Sequence, residues 1–130
     1  MIGRTGLAGL ALTLVGCATT PPDYAANDAA ELADAVKGRI AGQPVRCLPS
    51  SSTDAPRIIG ESLLYRDGRR LLLSEAMDGC PSLRGDPIVI VEVRGGQVCS
   101  GDSFRTLPRG GSIPGPTCRF GPFVPYTLPR

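Results

Sequence analysis

Apolar residues along this chain fall into three kinds of run. The first, Gly6 to Gly16 (GLAGLALTLVG), is continuous and short. A helix that spans a bilayer needs about 20 apolar residues, so this run is too short to span one. The second has helical spacing. Leu32, Val36 and Ile40 recur every fourth residue with Ala29 and Ala33 alongside, which predicts one apolar stripe on a helix. Asp28 and Glu31 stand at capping-box spacing, and Gly42 and Pro44 mark a stop. The predicted helix covers residues 28–42. It either packs on the domain or serves as a spacer.

From Val45 onward the runs are short and β-like. The stretch RIIGESLLYRDGRRLLLSE predicts a hairpin turning at Asp67-Gly68 in a type I′ turn. That register puts Tyr65 opposite Arg70, Leu64 opposite Leu71 and Leu63 opposite Leu72. A second hairpin runs from Ile88 to Val93, turns at Gly95-Gly96 and returns from Val98, with a break near Ser100-Gly101-Asp102. Phe104 to Leu107 reads as a further strand. Residues 108–122 are too rich in Gly and Pro for regular structure, and Cys118 is expected to pin that loop. The tail FVPYTLPR suggests a short edge strand, because Pro125 lacks the N–H that a sheet interior uses.

Two runs, Leu71-Leu72-Leu73 and Ile88-Val89-Ile90-Val91, are apolar at consecutive positions. A half-exposed sheet alternates, so both faces of these strands need cover. The expected fold is therefore mainly β (α+β). It is a small, strongly bent antiparallel sheet or partial barrel with one N-terminal amphipathic helix.

The leading segment adds an address. A basic start at Arg4, a short apolar centre and a small-residue exit make a secretory signal peptide over residues 1–16. At its exit, Leu14-Val15-Gly16-Cys17 resembles the lipobox of bacterial lipoproteins at all four positions. The resemblance implies cleavage before Cys17 and a diacylglycerol joined to its sulfur. One acyl chain holds a protein only marginally, whereas two or three anchor it firmly. Ala18 follows the cysteine where that family uses Asp for inner-membrane retention, which implies the outer membrane, periplasmic face. The chain then divides into the signal peptide, a lipidated Cys17 with tether (17–27), the helix (28–42) and a small β-rich domain (43–130).

Composition narrows the chemistry. The formal charge is +2, and removing Arg4 leaves +1. This is no electrostatic case for nucleic acid. The chain has no histidine. Ser-His-Asp triads, Cys-His pairs and histidine metal sites are therefore excluded within it. Besides Cys17 there are Cys47, Cys80, Cys99 and Cys118. An even number in a short exported chain predicts two disulfides in any of three pairings. The alternatives are a zinc site of four thiolates or free thiols. No C-x-x-C pair supports zinc or redox chemistry, so no metal or cofactor is expected.

Three spots are candidates for function. Arg66, Arg69 and Arg70 at the hairpin tip form a possible anion-binding hairpin, since guanidinium forks grip phosphates and carboxylates. Glu75, Asp78, Asp86, Glu92 and Asp102 are the carboxylates a hydrolase would draw on. Glycines 110, 111 and 115 lack the spacing of a phosphate cradle and read as a loop. The pieces LVGC, RCLPS, LLYRDGRRLLL, GCPSLRGD, VCSGDSFR and TCRFGPFVPY together resemble a group of small proteobacterial lipoproteins. That resemblance implies an envelope location and a compact cysteine-containing domain, with no activity to transfer. The expected function is a non-enzymatic binding or structural module, partnered by the membrane through its anchor and by an envelope protein or peptidoglycan. The alternative is an inhibitor similar to periplasmic lysozyme inhibitors, which project a loop into an active site. A carboxylate-based hydrolase ranks below both.

Overall fold

A computed structural model describes residues 16, 22–52 and 54–130. Cys17 and most of the apolar leader lie outside the described residues. The chain runs α1 (Tyr24–Ala35), β1 (Ile40–Ala41), β2 (Arg57–Ile59), β3 (Ser62–Asp67), β4 (Arg70–Met77), a 3₁₀ turn (Pro81–Leu83), β5 (Ile88–Val91), β6 (Ser103–Leu107) and β7 (Cys118–Thr127). The strands form one antiparallel sheet in the order β2-β3-β4-β7-β6-β5, with β1 on β7. The sheet curls into a half-barrel with one helix and two disulfides, as the sequence predicts.

Curvature has a local cause. The register between β4 and β7 shifts between Ser74 and Ala76. Gly121 and Pro122 together oppose Glu75, a β-bulge that bends the strand. A Cβ on Gly121 would collide with the Glu75 carbonyl oxygen, so only glycine permits this approach. The buried Ser74 hydroxyl donates to the Gly121 carbonyl at 2.9 Å and fixes the kink.

The curl divides the apolar residues into two layers. On the inner face Leu63, Tyr65, Leu72, Phe104, Phe120 and Phe123 form the main core. The Phe104 and Phe120 rings lie 4.7 Å apart. On the outer face Ile59, Leu64, Leu71 and Leu73 form a second cluster, covered by Leu32, Ala35 and Val36 of the helical segment. Both faces of Leu71–Leu73 are thereby buried. β5 differs: Val89 and Val91 turn inward and are half-buried. Ile88 and Ile90 remain 46% and 39% exposed.

Several expected boundaries move. The helix occupies Tyr24–Ala35 rather than 28–42, because Asp23 caps it, its carboxylate accepting from Ala26 N at 3.1 Å. It therefore takes in part of the expected tether. Gly38, at φ +73°, turns the chain away, and Ile40 pairs with Thr127 in β1. Asp28 and Glu31 become mid-helix ion-pair partners of Arg84 (2.8 Å) and Arg57 (3.0 Å).

The first hairpin pairs Asp67 with Arg70, Tyr65 with Leu72 and Leu64 with Leu73. Its two central residues are Gly68 and Arg69. Gly68 alone has a positive φ (+57°), the type II′ pattern rather than I′. Moving the turn one position slides the pairing by two, which keeps every side chain on its expected face.

In the second hairpin Gly95 and Gly96 do form the turn, with φ of +76° and +78°. Regular return pairing begins at Phe104, opposite Val91, not at Val98.

The tail is the largest departure. β7 is a central strand, and Pro125 sits opposite Leu72 within it. Its carbonyl accepts from Gly42 N at 2.7 Å, so the residue's backbone groups face the 40–45 segment. There the partner chain bows out between Gly42 and Val45, and no ladder N–H is required of Pro125.

Candidate functional site

Of the three pairings open to the cysteines, the structure forms Cys47–Cys99 and Cys80–Cys118. Both sit where the sheet is thinnest. β6 meets β7 through only two residue pairs, Ser103–Arg119 and Phe104–Cys118. Cys80–Cys118 clamps the start of β7 to the segment after β4, beside the fully buried Leu83. Cys47–Cys99 joins the chain after β1 to the connection between β5 and β6. Beside it Leu48 N donates to the Val98 carbonyl at 2.8 Å, and Gln97 Nε2 to the Leu48 carbonyl at 2.7 Å.

That second bridge also holds a wall. β2 and β5 stand at the two ends of the strand order, and the half-barrel stays open between them. A cavity of about 540 Å³ occupies this seam. Ile58 of β2 and Val89 and Val91 of β5 line its sides, with Leu48 and Val98 from the bridged segment.

Two hydroxyl residues, Tyr65 and Ser52, also line it. Tyr65 is 5% exposed, its ring packed edge-on against Phe123 at 6.2 Å. Its hydroxyl and that of Ser52 are buried and have no hydrogen-bond partner among the described residues. Burial pushes the Tyr65 phenol up to about 12, so it stays protonated and able to donate.

The rim carries charge. Asp86, at φ +54°, pairs with Arg109 at 3.3 Å, and Arg109 Nε also donates to the Asp86 carbonyl oxygen at 2.8 Å. Asp54 lies at the same mouth.

Of the hairpin-tip arginines, Arg69 and Arg70 line one groove together with Leu128 and Arg130, and Arg66 stands apart. Arg66 shares the outer face with Leu64, whereas Arg70 lies on the face of Tyr65. Arg70 Nε is bound to Asp67 Oδ2 at 2.6 Å. Arg69 lies in the turn, where its carbonyl accepts from Arg39 Nη1 at 2.5 Å. Asp67 takes a second bond from the Ser51 hydroxyl at 2.7 Å. The Ser51 bond first and Arg70 second hold its carboxyl below the usual carboxylate range. The tip thus tethers the 50–52 loop, and with it one edge of the cavity.

The carboxylates scatter. Asp102 accepts from Cys99 N at 2.8 Å, Glu92 pairs with Arg94 at 3.5 Å, and Asp78 sits in a turn at φ +59°. Glu75 lies in a separate groove beside Leu32 and Pro122. Only Asp86 of that set reaches the cavity. No group of three or more metal-ligating side chains occurs among the described residues.

The glycine-rich stretch is a loop, pinned where Gly115 N donates to the Thr106 carbonyl at 2.6 Å. Ile113 is 81% exposed.

Sequence reasoning missed Tyr65 and Ser52. The available signal was a lone polar-tipped aromatic inside a leucine-rich strand, on the face that points inward.

Fold and site together define a small disulfide-braced antiparallel half-barrel with an open seam. No family model, no curated protein and no solved structure matches this chain.

Proposed function

We propose that this chain is a bacterial envelope lipoprotein whose domain is a binding module. In this reading acyl chains on Cys17 hold it to the outer membrane, and the half-barrel faces the periplasm. The observation that carries the binding role is the seam cavity, with apolar walls and two unpartnered hydroxyls. Concave, mostly apolar pockets with a few polar groups are the usual form of a recognition site. The two disulfides support an oxidising address outside the cytoplasm, and the Leu14–Cys17 tetrad supports the anchor.

The anchor is tested by Cys17→Ser and detergent-phase partitioning. The unsubstituted protein enters the detergent phase and the variant does not. A variant that still partitions into detergent rules the lipid anchor out. The binding role is tested by crosslinking in intact cells from a photoreactive residue at exposed Ala55, at the cavity mouth. A discrete adduct supports binding, and its absence counts against it.

Ile113 favours a second reading. An apolar side chain 81% exposed on a pinned loop resembles the projecting element of an enzyme inhibitor. Retention of lysozyme on the immobilised protein, abolished by Ile113→Asp, supports that alternative. No retention removes it.

A further inference from the structure

Two buried hydroxyls without partners in the wall of one cavity need a physical account. Each hydroxyl supplies one donor and two acceptor positions. Leaving such a group buried and unpaired costs about 1–3 kcal/mol. Folded proteins leave few of these groups, and each calls for an explanation such as strain, a chemical role or a bound water or ion. Tyr65 and Ser52 line the same cavity, and their hydroxyls are two such groups.

We propose that the seam cavity binds a small, uncharged, mostly apolar molecule with one hydrogen-bonding head, of the acyl amide or ester class. Both hydroxyl oxygens are buried behind the cavity surface in this structure, and the head reaches them through a small side-chain shift in the wall. The apolar body lies against Ile58, Val89 and Val91. This deepens the binding role argued above and rests on it.

Three observations select that chemistry. The volume, about 540 Å³, falls within the range of small-molecule sites, roughly 300–1,000 Å³. The walls are aliphatic and take the body of the ligand without a polar partner. Charge excludes the acids: among the described residues Arg109 is the one basic residue lining the cavity, and it is engaged by Asp86 at the rim. Asp54 at the mouth adds a like charge for any carboxylate or phosphate. An anionic head would therefore lose its water with no cation to replace it. A carbonyl oxygen accepts from the Tyr65 phenol, which the raised ionisation point keeps protonated, and needs no counter-ion.

The test uses the full chain carrying Cys17→Ser, so that no detergent competes for the cavity. The uncharged fluorophore N-phenyl-1-naphthylamine is titrated in and then competed with decanamide or decanoate at pH 7.5. Expected are a saturable one-site signal, displacement by decanamide, and displacement by decanoate at least ten-fold weaker. Tyr65→Phe keeps the ring and removes the hydroxyl. It weakens decanamide roughly five-fold, the loss of one neutral hydrogen bond, and leaves decanoate unchanged. Ala55→Trp changes an exposed residue at the mouth, outside the core. It lowers fluorophore affinity at least ten-fold while near-ultraviolet dichroism reports an intact fold.

Equal competition by amide and carboxylate overturns the proposal, as does unaltered binding in Ala55→Trp. The absence of a saturable signal also overturns it, and Tyr65→Phe being less stable to heat then means that trapped water serves the hydroxyl. A negative result here beside a discrete crosslinked adduct in cells overturns this ligand and leaves the binding role standing, whereas loss of both removes the binding role as well.

Discussion

β4 and β5 both carry apolar side chains on consecutive residues, yet only β4 has both faces covered. Leu72 enters the aromatic core, while Leu71 and Leu73 lie under the helical segment. In β5, Val89 and Val91 line the seam together with the flank of Ile88, and Ile88 and Ile90 remain 46% and 39% exposed. The difference lies in neighbours rather than in composition. β4 sits between β3 and β7 in the middle of the sheet, and β5 ends it. An apolar run at an edge has one side that no neighbouring strand covers. The same asymmetry recurs in the bracing: the β3-β4-β7 half is held by long ladders, and the β5-β6 half by two short pairings and two disulfides.

The sharpest way to break this comparison is to make the same kind of change in both strands. Leu73→Ser removes a buried aliphatic side chain and buries a hydroxyl, at a cost of about 3–5 kcal/mol in urea unfolding. Ile90→Ser on the exposed face of β5 costs within about 0.5 kcal/mol. Equal costs would sink the distinction.

Removing Cys80 and Cys118 together by alanine substitution costs about 2–4 kcal/mol, since the bridge closes a separation of 38 residues. Hydrogen exchange in that variant is expected to rise first in β5 and β6, while β3 and β4 stay protected. Uniform loss across the sheet would mean that the two halves open as one unit.

Tyr65, on β3 beside the seam cavity, gives an alkaline signature. Its phenol is raised to about 12 from 10.0. The unfolded chain ionises first, so the contribution is complete below pH 10 and is lost as pH rises through 12. About 2–3 kcal/mol disappears over that window by linkage. Tyr65→Phe, followed by denaturant midpoint against pH, shows a correspondingly shallower decline.

The smallest effect belongs to Asp67 at the hairpin tip. Its carboxyl is lowered from 3.8, chiefly by the Ser51 bond and then by Arg70. Its contribution is present above pH 3.8 and is lost as pH falls through the folded value. Asp67→Asn costs below about 1 kcal/mol at pH 7, and the gap closes in acid.

These positions also show what the sequence made legible. The faces of the first hairpin were readable, because a slide of two residues preserves the alternation of side chains even when the turn is misplaced. The curled β class was readable from the demand of Leu71–Leu73 for double cover. The helix limits were not, because Asp23 outcompeted Asp28 as the cap and a distant strand claimed Ile40. Pro125 misled for a similar reason: its tolerance depends on a bow in the 42–45 segment that no local pattern announces. The candidate site was the least legible. Tyr65 and Ser52 belong to separate segments, and the cavity exists only because β2 and β5 fail to meet.

β7 is the last strand in chain order, yet it joins β1, β4 and β6. The half-barrel therefore cannot begin to close while residues 118–127 are missing, however long the rest of the polypeptide has existed. Until that segment arrives only the β2-β3-β4 and β5-β6 pairings are available, and the core leucines and valines stay unsheltered. Such a chain stays prone to aggregation until β7 is available.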